Sequence, residues 1–165
     1  MRLRREPVVI TYLELTDPAQ LRPAAPPRLP DVRIERVDPP DGGVDRWFYE
    51  RVGAEHDWTD LLGRTAAQWQ AWAERHETWT ATVASDRAGF YELDVRRESV
   101  QVAYFGLLPA FRGAGLGGHL LTHALRRGLA LAPRVWLTTN TRDAPAALPN
   151  YERRGLRVFR REPRG

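Results

Sequence analysis

Residues 104–121 read YFGLLPAFRGAGLGGHLL. An apolar, strand-like run meets Pro109 and Arg112, then four glycines within positions 113–118, then leucines at helical spacing. Glycine weakens helix and strand interiors, so its concentration where a strand hands over to a helix needs a reason. The first turn of a helix presents backbone N–H groups without intrahelical partners, at the positive end of the helix dipole. Positions without side chains let an anion reach those groups, and Arg112 adds positive charge. A close strand-to-helix packing turn is the other reading of the same glycines. The GxxxxGK[ST] phosphate loop is excluded, because the chain contains no lysine.

Downstream of Thr78 the hydrophobic period is two. TWTATVAS (78–85), GFYELDVR (89–96) and SVQVAYFGLL (99–108) predict three consecutive strands joined by short turns. A helix is expected over 113–130, with Leu116, Leu120, Leu121, Ala124 and Leu125 as its buried stripe. RVWLTT (134–139) predicts a strand, 145–154 a helix stopped by Gly155, and LRVFRR (156–161) a last strand. Upstream, PVVITYLELT (7–16) and VRIERV (32–37) read as strands around a loop with five prolines. Val44, Trp47, Phe48 and Val52 share one face of a helix over 44–53. A short helix is expected at 57–62, and Thr65 with Gln68 makes a capping box for a helix over 65–76. The order predicts an α/β fold with a mixed, twisted, mostly antiparallel sheet and flanking helices.

At 165 residues, one domain is expected over 1–165. Residues 1–77 would form a strand, the proline-rich loop and acceptor-side helices, and 78–162 the core. No apolar stretch reaches 18 residues, and the basic start has neither the apolar length nor the cleavage site of a secretory signal. A cytoplasmic protein without membrane contact is therefore expected. With no cysteine, disulfides, thiolate metal sites and a cysteine nucleophile are excluded. All 25 basic residues are arginine, spread among 21 acids, a pattern of codon bias more than of a nucleic-acid surface. The resulting net charge of +4 still favours an anionic ligand.

The stretch resembles the hallmark of the GNAT superfamily of N-acetyltransferases, [Q/R]xxGx[G/A], through Arg112, Gly115 and Gly117. The surrounding order agrees: a strand ending in Leu107-Leu108-Pro109, then a helix, a strand, and a helix ALPNYERRGL with Ala147, Tyr151, Gly155 and Leu156 in the family's pattern. The likeness is close over 78–162 and general over 1–77, and within the superfamily the chain looks like a small bacterial acetyltransferase. It implies the acyl-CoA N-acyltransferase fold and acetyl-CoA as acyl donor, without a metal. Backbone amides of Arg112, Gly113, Ala114, Gly115, Leu116 and Gly117, with Gly118 beside them, would take the pyrophosphate. Leu107 and Leu108 would pair with the pantetheine arm, and Asn140 would contact the cofactor. Tyr151 falls at the general acid that protonates the departing thiolate. The acceptor implied is a primary amine of a small molecule or peptide, and homodimers are common in the family. One departure is Ala144, where many members carry Asn; Asp143 beside it is expected to cap the following helix.

The base is less defined. Glu92, inside the apolar run FYELDV, is the leading candidate, since partial desolvation would raise its pKa toward the working range. An outward-facing, solvated Glu92 and a water acting as base are the alternatives, and Gln101 can orient substrate without titrating. His119 and His123 stand four apart on a helix, but no third metal ligand is evident and no HExxH occurs. His56, Trp47 and Trp58 lie where an acceptor pocket is expected, while Trp69 and Trp72 read as core. A non-catalytic acyl-CoA-binding or regulatory module of the same fold is the competing reading.

Overall fold

The computed structural model describes residues 6–164. Its elements are β1 (Val9–Leu15), β2 (Val32–Arg36), α1 (Gly42–Gly53), α2 (Ala66–Arg75), β3 (Glu77–Val83), β4 (Asp86–Val95), β5 (Ser99–Leu107), α3 (Leu116–Leu131), β6 (Arg134–Asn140), α4 (Ala147–Arg153) and β7 (Arg157–Pro163). The strands form one seven-stranded sheet in the order β2-β3-β4-β5-β6-β1-β7. Every pairing is antiparallel except β5 with β6. The mixed α/β fold expected from the sequence is the observed one.

Alternation along the strands assigns the two faces. On β4, Tyr91 points toward α3, its hydroxyl 2.6 Å from His123 Nδ1. Phe90 points to the opposite face and stacks on Phe48 of α1 with ring centroids 4.9 Å apart. The stripe Leu116, Leu120, Leu121, Ala124 and Leu125 is fully buried, and all but Leu116 pack with Leu13, Leu15 and Leu137 in one cluster. Trp69 is buried beside Tyr49, as a core residue should be, whereas Trp72 is half-buried. Thr65 and Gln68 make the expected capping box on α2.

Strand β1 departs from a simple sequential build. It lies between β6 and β7, with Leu13 opposite Leu137 on one side and Val158 on the other. No local pattern in the sequence encodes that placement, because both partners lie more than a hundred residues downstream.

Three local expectations are corrected. Residues 57–62 form turns rather than a helix: Asp57 is left-handed at φ 56, and Leu61 N donates to Tyr49 Oη at 3.0 Å. Helix α3 starts at Leu116 rather than at 113, because Gly113 and Gly115 both sit at φ 84, outside the right-handed helical region. Asp143 does not cap α4, whose N-cap Ala146 has no side-chain partner. Its carboxylate accepts instead from Thr139 Oγ1 at 2.5 Å and Asn140 N at 3.0 Å, bracing the end of β6.

Candidate active site

Strands β5 and β6 pair only from Ser99–Gln101 to Arg134–Trp136 and then diverge. Beyond that point the β6-facing backbone of β5 has no strand partner. The wedge between them opens into a cleft of about 680 Å3, walled by residues 101–107 of β5, by Leu137, Thr138 and Asn140 of β6, and by Asn150 and Tyr151 of α4. The glycine turn and the segment 56–60 also line it.

The turn carries out two jobs at different positions. A Cβ on Gly113 would meet nothing within 4 Å, so this glycine faces open space. A Cβ on Gly118 would lie 2.5 Å from Arg154 Nη1 and 3.0 Å from the Ala24 methyl, so that position is glycine for packing as well. Gly115 offers no side-chain cap, leaving the first-turn N–H groups of α3 without intrahelical acceptors. A pyrophosphate fits such a cradle: open space, unpaired donors and the Arg112 guanidinium lie together.

The expected site residues separate into two groups. Arg112, Gly113, Gly115, Gly117, Gly118, Leu107, Asn140 and Tyr151 all line the cleft. Ala114, Leu116, Leu108 and Glu92 do not. Leu116 is buried in the core, Ala114 O accepts from Arg28 N at 2.8 Å, and Leu108 N donates to Ala88 O at 2.8 Å. The Leu108 amide is thus already used.

Tyr151 is 7% exposed, at the wall of the cleft. Burial, with a smaller effect from Asp143, pushes its phenol above the ordinary tyrosine value, so it keeps its proton at neutral pH. Glu92 is 1% exposed and lies behind the wall, opposite Tyr104 in the β4–β5 register. It accepts from Trp72 Nε1 at 2.9 Å. Burial first, then the nearby Asp45 carboxyl, pushes Glu92 well above the usual carboxylate range. Asp45, fully buried in α1, is pushed up to about 6, again mainly by burial, and neither of its oxygens has a hydrogen-bond partner.

The sequence reading missed most of the segment 54–63, which joins α1 to α2 across the mouth. His56, Asp57, Trp58 and Asp60 line the cleft. The segment's three acids reach arginines on three different segments: Glu55 to Arg112 in the glycine turn at 2.8 Å, Asp57 to Arg142 after β6 at 3.3 Å and Asp60 to Arg164 after β7 at 3.9 Å. The available signal was the run AEHDWTD, where acids and an aromatic alternate between two helices. Trp47 stays outside the cleft, packed edge-on against Phe48 under Arg51 and Arg87. His123 is engaged with Tyr91 beneath α3. Among the described residues no group of three or more His, Asp or Glu side chains is placed to hold a metal.

Residues 44–156 match the sequence profile of the Acetyltransferase (GNAT) family, so the chain belongs to that family. Solved structures agree on the fold. A GCN5-related N-acetyltransferase from Sphaerobacter thermophilus superposes with a TM-score of 0.66 at 18% identity, over 96% of this chain and 51% of that one. An acetyltransferase of the GNAT family from Streptococcus pneumoniae gives 0.60 at 22%, over 76% and 83%. An aminoglycoside acetyltransferase from an uncultured soil metagenomic sample, in complex with sisomicin, gives 0.61 at 12%, over 74% and 86%. The chain spans little more than half the length of several of the structures it matches. No curated protein sequence matches it. Acetyl transfer is the chemistry of this family.

Proposed function

We propose that the protein is an acetyl-CoA-dependent N-acetyltransferase that acetylates a primary amine by direct attack. The observation that carries this reading is the splayed β5–β6 wedge, with the glycine turn at one end and a protonated Tyr151 on its wall. Acetyl-CoA, when bound, supplies the thioester acetyl group. The first-turn amides of α3 and Arg112 would hold its pyrophosphate, and the unpaired edge of β5 near Leu107 its pantetheine arm.

Transfer forms an N–C bond and breaks the C–S bond. Starting from an ammonium, the nitrogen gives up two protons: one leaves to solvent through a base, and the second balances the proton that Tyr151 hands to sulfur. Glu92, one side chain behind the wall, can take the first proton only through an intervening hydroxyl or water. That placement favours, as a second reading, a module that binds acyl-CoA without turnover. The deciding experiment is calorimetry with acetyl-CoA, followed by an assay of free CoA released with a panel of amines. Saturable binding with amine-dependent CoA release supports the enzyme, binding without release supports the module, and no binding at millimolar cofactor removes both.

A further inference from the structure

The part of the cleft lined by the segment 56–60 has its own chemistry. Trp58 and Tyr104 line it with ring centroids 4.9 Å apart and their planes inclined at 64°. Behind them Tyr49 and Trp72 hold the Tyr104 ring in place, with centroids at 5.4 and 6.0 Å. Asp57 and Asp60, both largely exposed, form the rim of the same part. The field of Asp60 reaches this floor, adding to the burial that raises the phenols of Tyr49 and Tyr104.

The region already draws cations from its own chain. Arg142 approaches Asp57, Arg164 approaches Asp60 at the outer limit of an ion pair, and the Arg64 guanidinium lies 5.1 Å from the Trp72 ring centre. The two rim carboxylates are 69% and 72% exposed, and exposed pairs of this length hold weakly. A ligand ammonium can therefore take the place of either arginine at little cost. Aromatic faces beside carboxylates are the combination that recognises an organic cation.

We propose that the acceptor is a small di- or polycationic amine. One nitrogen is acetylated at the thioester end, while a second, still protonated, docks against Trp58 and Tyr104 on the Asp57–Asp60 rim. This rests on the acetyltransferase reading above and adds the substrate class to it. A simple monoamine leaves the rim unused.

The test uses the protein saturated with CoA, which cannot turn over, titrated in a calorimeter at pH 7.5 with hexane-1,6-diamine and with hexan-1-amine. The diamine is expected to bind about tenfold more tightly, the sum of one cation–π and one exposed ion-pair contribution. In Asp60→Asn, and in Asp57→Asn as a second variant, that ratio is expected to fall toward one; both side chains are exposed, so the fold tolerates the change. Equal affinities in the wild-type protein, a ratio that survives both substitutions, or no measurable binding of either amine to the CoA complex would overturn the proposal. A protein that fails to bind CoA at all overturns the underlying reading instead, and the first titration separates that case.

Discussion

Arg112 and Glu55 meet across the mouth of the cleft, Nη1 to Oε2 at 2.8 Å, while Nη2 of the same guanidinium reaches Leu107 O at 3.4 Å. One arginine thereby ties the acceptor-side segment to the edge of β5. A pyrophosphate at the glycine turn must compete with Glu55 for it. Glu55→Gln is expected to tighten CoA binding up to about fivefold, the worth of an exposed ion pair, and Arg112→Ala to weaken it. Calorimetric titration of both variants checks this; weaker binding by Glu55→Gln would show that the pair supports the site instead of opposing its ligand.

Tyr151 keeps its proton because burial disfavours the phenolate. Tyr151→Phe removes the donor while leaving the ring against Phe105. Turnover is expected to drop at least about tenfold, in the range for loss of a general acid, with CoA affinity held within about twofold. Steady-state assay beside calorimetry separates the two; unchanged turnover takes Tyr151 out of the chemistry.

For Glu92, replacement by Gln tests the route of the first proton. If the carboxylate takes that proton through an intermediary, the acidic limb of the pH–rate profile is expected to disappear in Glu92→Gln. An unaltered limb assigns the base to another group.

Asp45 gives a pH dependence of stability with a defined sign. Its pKa rises from 3.8 unfolded to about 6 folded, so the folded state holds its proton more tightly. Stability is therefore highest below about pH 4 for this group and is lost as pH rises through 6, by roughly 2–3 kcal/mol when complete. Asp45→Asn is expected to melt higher than the wild type at pH 7.5, with the gap closing toward pH 4. A variant that melts lower at pH 7.5 would contradict this.

Two glycines at similar φ isolate the effect of close approach. Gly63 sits at φ 82 with nothing within 4 Å of a Cβ, and Gly155 at φ 96 with Gln20 O only 1.8 Å from one. Gly63→Ala is expected to cost about 1 kcal/mol of left-handed strain. Gly155→Ala should cost at least about 3 kcal/mol, since backbone must move. Urea unfolding of both measures the difference, and equal costs would mean that the 18–22 segment yields freely.

Much of this architecture is legible locally. Period-two alternation marks β3, β4 and β5, the Thr65–Gln68 box marks α2, and Arg112 to Gly117 marks the turn. What was not legible depends on distance along the chain. The partners of β1 lie beyond residue 133, so its position follows from closure of the sheet and from no nearby pattern. Residues 57–62 read as a short helix, but Tyr49 Oη captures the Leu61 amide and Asp57 turns left-handed, so the segment forms turns that leave Asp57 and Asp60 lining the cleft. For Glu92 the sequence left burial and solvent exposure both open, because its face depends on strand register and on the Trp72 contact.

The position of β1 between β6 and β7 also sets an order of assembly. Strands β2 to β5 connect to near neighbours, apart from the helical excursion between β2 and β3, and can collapse as they are synthesised. Strand β1 leaves the ribosome before all of them and must stay unpaired until β6 follows: the Glu14–Arg134 ion pair spans 120 residues. Closing so long a loop is slow. The wall bearing Asn140 and Tyr151 is thus completed last, and until then an apolar strand with Leu13 and Leu15 remains open to chaperones or to mispairing.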